Sequence, residues 1–371
     1  MKYYIIAGEA SGDLHAANLV KELRDLDPDF RGRGWGGDLM SEQGVHLVKH
    51  FRDLAFMGFV EVIANLRTIL KNIEFCKKDI LDFRPDVLIL VDYPGFNLRI
   101  AEFAHKAGLK VVYYISPQIW AWKQSRVHQI KQHVNEMLVI LPFEKEFYEK
   151  FDYPVHFVGH PLLDAINNRK ETMVPGWKQK MGLTEKPIIA LLPGSRKQEI
   201  SSMLPLMLSV LEEFEEYQFV IGGAPSVPSS VYEEFTSGTS VKVVNGETYS
   251  LLENSFAALV TSGTATLETA LFNVPEVVCY KGNIISYHIA RALIKIKYIS
   301  LVNLIMDREV VTELIQADLN KKRLIEELQK ITNDAANRQK MLDDFKLLQQ
   351  QLGGPGASKR AAKLILDGVN S

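Results

Sequence analysis

The chain has 371 residues, 47% of them hydrophobic and 24% charged, with a formal net charge of −2. That length exceeds one ordinary core and suits two α/β domains, and the composition is globular rather than disordered. A near-neutral balance gives no global field for nucleic acid, and no window approaches about 18 uninterrupted apolar residues, so no membrane span is expected.

The first seven residues, Met1-Lys2-Tyr3-Tyr4-Ile5-Ile6-Ala7, are too short an apolar run for a secretion signal and suit a first strand. From there short apolar runs alternate with longer helical patterns, as in parallel α/β folds. Strands are expected at Tyr3–Ile6, Phe30–Trp35, Val87–Val91, Val111–Ile115, Met137–Leu141 and His156–Val158. A second series is expected at Ile188–Leu192, Gln218–Ile221, Val241–Val244, Ala257–Val260 and Glu276–Tyr280. Between the series lies 167–186, charged and carrying Pro175, which reads as a linker. It separates a first Rossmann-like domain (1–166) from a second (187–345). A charged helical pattern, Asp318–Leu352, breaks at Gly353-Gly354-Pro355-Gly356, and a last helix follows over Ser358–Leu366. Residues 346–371 thus read as a helical tail that packs back on the first domain or on a partner subunit. Cys76 and Cys279 sit in apolar surroundings without metal-ligand spacing, as buried thiols of a reducing, cytoplasmic compartment do.

Several junctions in the first domain carry chemistry. Gly8-Glu9-Ala10-Ser11-Gly12-Asp13 follows the first strand, at the end of the sheet where α/β folds bind ligands. Ser11 and Asp13 suit capping of the next helix. Glu9 would repel a phosphate and suits a sugar hydroxyl better. Gly32-Arg33-Gly34-Trp35-Gly36-Gly37 matches G-x-G-x-x-G by letter, but its first two glycines fall inside the second strand, so no dinucleotide is expected. Asp25-Leu26-Asp27 and Asp27-Pro28-Asp29 imitate a metal-binding D-x-D, and Pro28 makes a turn the simpler cause. Asp92 ends the buried run Val87–Val91, and Pro94 and Gly95 turn the chain away from it. A carboxylate there, in a partly apolar setting, can hold a raised pKa and act as general base. Asn97 suits the capping of the helix that follows.

In Phe56–Lys78, the residues Phe59, Val62, Ile63, Leu66, Ile69, Leu70 and Ile73 form a helical stripe, with Arg67, Lys71, Lys77 and Lys78 supplying positive charge and Asn72 opposite. Two readings stand: a core-facing helix, or an exposed face that grips acyl chains or lies on an anionic membrane. Lys281–Lys297, with Ile284, Ile285, Ile289, Leu293 and Ile294, allows the same two. After a later strand come Trp120, Trp122, Lys123 and Arg126, a set that suits a sugar ring and a phosphate. His160 is a lesser candidate, placed just before the linker.

The second domain repeats one logic twice, in Leu191-Leu192-Pro193-Gly194-Ser195-Arg196 and in Thr261-Ser262-Gly263-Thr264 running on to Glu268. A helix N-terminus offers free N–H groups to an anion, and Gly263 permits close approach. Hydroxyls at Thr261, Ser262, Thr264 and Thr266 add donors, Ser195 can cap, and Arg196 can clamp a diphosphate. Glu268 can accept from vicinal sugar hydroxyls. Asn303 lies in an apolar stretch and offers a neutral donor and acceptor.

Eight motifs occur in order: Ala7–Asp13, Met57–Glu61, Asp92–Asn97, Ser116–Trp122, Leu141–Glu144, Phe157–His160, Leu191–Arg196 and Thr261–Glu268. Together they closely resemble the lipid-A-disaccharide synthase family, from the first strand to about Glu313. The resemblance implies an α/β, GT-B glycosyltransferase fold, two Rossmann-like domains whose parallel sheets face each other across a cleft. It implies an inverting, metal-independent transfer, without cofactor, of 2,3-diacylglucosamine from UDP-2,3-diacylglucosamine to 2,3-diacylglucosamine 1-phosphate. The products are a β-1,6 disaccharide 1-phosphate and UDP, a step of lipid A synthesis at the inner face of the cytoplasmic membrane.

Carried over by motif, the family's catalytic base falls on Asp92. The donor side falls on Ser195, Arg196, Ser262, Gly263, Thr264 and Glu268 with Asn303 nearby, and Glu9 and Ser11 join the substrate-binding set. Many members carry a second acid in a D-x-P-D-F-N pattern; this chain has Gly95 there, which leaves Asp92 as the base. The resemblance favours acyl or membrane contact for Phe59, Val62, Ile63, Leu66, Ile69 and Leu70, with Trp120, Trp122, Lys123 and Arg126 on the acceptor side. Members can form homodimers with exchanged C-terminal segments, which the break at 353–356 would suit. On the residues alone, another UDP-sugar GT-B enzyme (a peptidoglycan-type glycosyltransferase or a UDP-GlcNAc 2-epimerase) and a non-catalytic UDP-sugar or lipid-binding module stay open. The basic apolar stretches speak against an epimerase, and Asp92 against a module.

Overall fold

Strands that are apolar on both faces need helices above and below, which parallel βα units supply. The computed structural model describes residues 1–54, 66–170, 176–282 and 297–370. The chain divides into two units, Met1–Asn167 with Leu352–Ser371, and Asn168–Gln351.

The first unit holds a seven-stranded parallel sheet: β1 (Lys2–Ala7), β2 (Arg31–Gly36), β3 (Val45–His50), β4 (Val87–Val91), β5 (Lys110–Tyr114), β6 (Glu136–Val139) and β7 (His156–Phe157). Their spatial order is β3-β2-β1-β4-β5-β6-β7. The second unit holds β8 (Ile188–Leu192), β9 (Gln218–Gly223), β10 (Lys242–Asn245), β11 (Ser255–Thr261), β12 (Glu276–Tyr280) and β13 (Thr312–Ile315), ordered β10-β9-β8-β11-β12-β13. Both are doubly wound sheets in which the order reverses direction once, between β1 and β4 and between β8 and β11. The two parallel α/β folds expected from the alternation of runs are present.

Two strands escaped the sequence. β3 reads Val45-His46-Leu47-Val48-Lys49-His50, a polar edge strand with one fully buried residue. β13 is four residues long and also lies at an edge. The expected single helix over Asp318–Leu352 is two, Lys321–Thr332 and Ala335–Gln351. The Asp334 side chain accepts the backbone N–H groups of Ala336 and Asn337, so it caps the second and ends the first. The last helix, Ala357–Asn370, runs longer at both ends than expected.

The letter match to G-x-G-x-x-G is sheet packing: Gly34 lies inside β2, and a Cβ there would come 1.8 Å from the carbonyl oxygen of Ile5 on β1. Asp27 accepts the N-terminal ammonium and the Tyr3 hydroxyl, each at 2.8 Å, and the Asp29 N–H at 3.0 Å, which accounts for its carboxylate as a turn. Within the first unit, Asp164 accepts the backbone N–H groups of Gly356, Ala357 and Ser358 at the start of the last helix. Arg360 of that helix donates to the carbonyl of Val158 at 2.7 Å and to those of Gly353, Gly354 and Pro355.

Candidate functional site

In the first unit the candidate chemistry gathers at the reversal point. β1 and β4 run parallel with Ala7 opposite Val91, so the loops that follow them leave the sheet side by side. One carries Gly8 and Glu9, the other Asp92 and Tyr93. Asp92 and Tyr93 are consecutive non-glycine residues in the left-handed region, with φ of 45° and 51°. Such a pair costs about 1–3 kcal/mol per residue and persists only where its surroundings hold it. Gly8 is one such condition, since a Cβ there would lie 2.3 Å from the Tyr93 ring.

The Asp92 carboxyl is pushed up from an ordinary 3.8 to about 7. Burial is the largest cause, the neighbouring Glu9 carboxylate adds to it, and the Tyr93 N–H opposes both. A carboxylate poised near neutrality at a strand end is suited to take a proton.

The neighbouring residues revise the expected capping. Asp13 does not cap its own helix, Ala10–Leu26. It is buried and accepts the N–H groups of Gly37, Leu39 and Met40, capping the short helix Asp38–Glu42 instead. Ser11 is exposed in the first turn of its helix. Asn97 does not cap either: its amide donates to the carbonyls of Val91 (3.3 Å) and Asp92 (2.7 Å).

The tryptophan pair separates. Trp120 is buried, its ring edge-on to Phe143 with centroids 4.9 Å apart, so it packs inward against that ring. Trp122 is 53% exposed, with Arg126 at 5.2 Å and Lys123 at 5.8 Å from its ring centroid. An open aromatic face carrying two cations remains. Glu144 is buried beneath this loop and accepts the N–H groups of Ile140 and Leu141, and burial pushes it up to about 7. His160 is buried, its Nδ1 accepts the N–H of Leu162, and burial holds its pKa down to about 3. It is neutral and committed, a structural residue.

Phe59, Val62 and Ile63 lie outside the described residues, as do the side chain of Leu66 and nearly all of Lys281–Lys297. Of the expected stripe, Ile69, Leu70 and Ile73 have described side chains, on the helix Leu66–Phe83. Ile73, Cys76 and Ile80 enter the core together with Asn72, which accepts Lys49 Nζ at 2.7 Å, while Leu70, Phe75 and Leu81 are exposed and Ile69 is intermediate. Arg67, Lys71 and Lys78 are exposed on the same helix. Among the described residues no helix is long and apolar enough to cross a membrane.

In the second unit the reversal point again collects the candidates, with Leu192 of β8 opposite Val260 of β11. After β8, Gly194 has φ of +114°, and a Cβ would strike Glu199, 2.6 Å from its Oε2. Glu199 accepts the Ser195 N–H at 3.0 Å and Arg196 Nη1 at 2.9 Å. Glu199, which the sequence did not single out, therefore closes this helix start, and Ser195 is not the cap.

After β11, Gly263 opens the helix Thr264–Leu271. A Cβ on Gly263 would meet only the Thr261 carbonyl at 4.0 Å, so this backbone is open to an approaching ligand. Helix geometry leaves the N–H groups of Gly263, Thr264 and Ala265 without intrahelical partners. The Ser262 N–H is spent on the Cys279 carbonyl, and the Ser262 and Thr266 hydroxyls bond to Ile299 and Gly263 carbonyls. Thr261 is buried, so of the four hydroxyls expected here only Thr264 is exposed. Glu268, one turn on, is half-buried, and burial raises its pKa. Tyr249 Oη donates to its Oε1 at 3.0 Å, and the Tyr249 ring lies against Phe272. Asn303 is a strut rather than a ligand contact. It is fully buried, its Oδ1 accepts Val310 and Val311 N–H groups, and its amide donates to the Val311 carbonyl and to Glu313.

A family model described as lipid-A-disaccharide synthetase matches residues 3–365 of the chain. A lipid-A-disaccharide synthase of Syntrophus aciditrophicus (strain SB) is 40% identical over 373 residues, covering 98% of this chain and 96% of that protein. Among solved structures, UDP-GlcNAc 2-epimerase from Neisseria meningitidis bound to UDP-GlcNAc aligns with a TM-score of 0.72 at 15% identity, over 99% of this chain and 100% of that one. The kitacinnamycin glycosyltransferase aligns with a TM-score of 0.65 at 14% identity, over 99% of both chains. The structural likenesses establish the GT-B fold, which both kinds of protein share.

Proposed function

The chain belongs to the lipid-A-disaccharide synthase family, and on that premise we propose that it joins two acylated glucosamines by a single inverting displacement with Asp92 as general base. It is a glycosyltransferase. The donor is UDP-2,3-diacylglucosamine and the acceptor 2,3-diacylglucosamine 1-phosphate. Asp92 takes the proton of the acceptor 6-hydroxyl while that oxygen bonds to the donor's anomeric carbon. The bond from that carbon to the UDP oxygen breaks, and its electron pair leaves with UDP. The observation that carries the reading is a carboxyl at the β1/β4 reversal point, poised near 7 by burial and by Glu9.

On the donor side, the open N–H groups of Gly263 and Thr264 at a helix N-terminus suit the leaving diphosphate, the preorganised-donor logic of an oxyanion hole. Arg196 supplies a cation there, and the Oε2 of Glu268 accepts from the ribose diol. On the acceptor side, Lys123 and Arg126 over Trp122 suit a sugar 1-phosphate. Exposed Leu70 and Phe75 among Arg67, Lys71 and Lys78 suit acyl chains at an anionic bilayer, which would make the enzyme peripheral on the inner face of the cytoplasmic membrane. Exchange of the last helix between two copies would preserve its bonds to Asp164 and Val158 and give a homodimer.

Incubation with both acylated substrates tests the reading. UDP and a disaccharide 1-phosphate with a β-configured new linkage are expected. Release of UDP and a 2-epimerised sugar, or no turnover of acylated donor, would overturn it.

A further inference from the structure

We propose that Tyr113 is a positioning residue for this reaction, acting with Asn97 to clamp the backbone of Asp92 so that its carboxylate stays at the β1/β4 reversal point. The inference rests on the reading of Asp92 as the base. Tyr113 lies on β5, opposite Leu90 of β4, and is fully buried. Its hydroxyl donates to the Asp92 carbonyl at 2.6 Å. The Asn97 amide, in the first turn of the helix Pro94–Lys106, donates to the same oxygen at 2.7 Å. Two donors fill both lone pairs of that carbonyl.

The Asp92 N–H meanwhile donates to the Tyr114 carbonyl at 3.2 Å, continuing the ladder one residue past the end of β4. Both backbone groups of Asp92 are thus tied to neighbouring elements while its φ is 45°. A side chain on a left-handed residue leaves the chain in a direction that an extended residue cannot reproduce. With one of these two donors removed, the carbonyl is held by the other alone, and the strained backbone of Asp92 can relax toward the extended conformation that β4 would otherwise continue. Relaxation carries the carboxylate away from Glu9 and out of its buried setting. A misplacement of about 1 Å at a reacting group can cost on the order of 100-fold in rate.

Tyr113→Phe removes one oxygen and keeps the ring. Expected are a loss of about 10- to 100-fold in kcat, an unchanged KM for the donor, and unchanged affinity for UDP. The acid limb of the rate profile should also move to lower pH, because a carboxylate released from burial and from Glu9 titrates closer to its ordinary value. A purely structural hydroxyl would lower thermal stability without moving that limb. Wild-type kcat together with an unmoved limb would overturn the proposal. Asp92→Asn assayed in parallel separates the two ideas: an inactive Asp92→Asn beside a normal Tyr113→Phe rejects the clamp alone, and an active Asp92→Asn rejects the base itself. Should Tyr113→Phe fail to fold, Asn97→Ala removes the other donor and is judged by the same two readouts.

Discussion

Replacing Glu9 by Gln tests the electrostatics of the proposed base without touching it. The Asp92 carboxyl stands at about 7 rather than 3.8, a preference for the neutral acid worth roughly 4 kcal/mol. Only the ionised form accepts a proton, so at pH 6 about one-tenth of the enzyme is competent and at pH 8 about nine-tenths. Wild-type kcat/KM should therefore rise nearly tenfold between those pH values. Glu9→Gln removes the second cause of the elevation and leaves burial, the first, in place. The acid limb should shift to lower pH yet stop short of an ordinary carboxylate, and the ratio of activity at pH 6 to that at pH 8 should increase. The assay is UDP release at limiting donor from pH 5 to 9. A limb that does not move in Glu9→Gln, or a wild-type profile flat down to pH 5, would refute the reasoning. The same elevation has a sign for stability. An acid whose pKa is raised on folding contributes stability that is complete below about 4 and is lost as the pH climbs through about 7. Asp92→Asn should accordingly melt higher than the wild type at pH 8 and not at pH 4.

Three further outcomes follow from the same physics. Glu268→Gln should weaken UDP binding about 10- to 150-fold, a charge-assisted bond being worth roughly 1.5–3 kcal/mol, and should leave binding of a 2′,3′-dideoxy UDP unchanged in calorimetry; an equal loss for both ligands would remove the ribose assignment. Glu276 is fully buried at the start of β12, has no partner for either carboxylate oxygen among the described residues, and is raised well above its ordinary pKa by burial. Glu276→Met should stabilise the protein by about 1–3 kcal/mol at pH 8 and by less at pH 5, barely above the ordinary 4.5 of an exposed glutamate, where ionisation on unfolding favours the unfolded chain far less; denaturant midpoints at both pH values decide it, and a destabilised variant contradicts it. Leu70→Ser with Phe75→Ser should release the enzyme from anionic vesicles while its melting temperature stays within a few degrees, and retained vesicle binding would remove this helix from the membrane contact.

The residues that end strands were legible because one property decides them. Five consecutive apolar residues, Val87–Val91, three of them β-branched and too few for a helix, read as a buried strand with Asp92 emerging at its end. The β8 and β11 junctions followed from the same pattern. The partners of those residues were not legible, because they come from far along the chain. Asp13 is a plausible cap for its own helix until the fold brings Gly37 to it, and Asn97 a plausible cap until Val91 and Asp92 turn their carbonyls toward it. Trp120 and Trp122 look alike in a motif, but residues two apart on a helix face different sides, so one packs on Phe143 and the other meets solvent. Of the Phe56–Lys78 stripe only Ile69, Leu70 and Ile73 have described side chains, and these divide between the core and solvent. Ile73 enters the core, Leu70 is exposed, and a lysine on β3 draws Asn72 inward.

The central claim is that Asp92 removes the acceptor's proton while the second unit holds UDP, and single-turnover kinetics of Asp92→Asn tests it most directly. With enzyme in excess over labelled donor, the account predicts a fall in the transfer rate of on the order of 100- to 10,000-fold, the range for loss of a general base. UDP affinity, measured on the same preparation, should be unchanged. Transfer within a few-fold of the wild type at saturating acceptor would contradict the account.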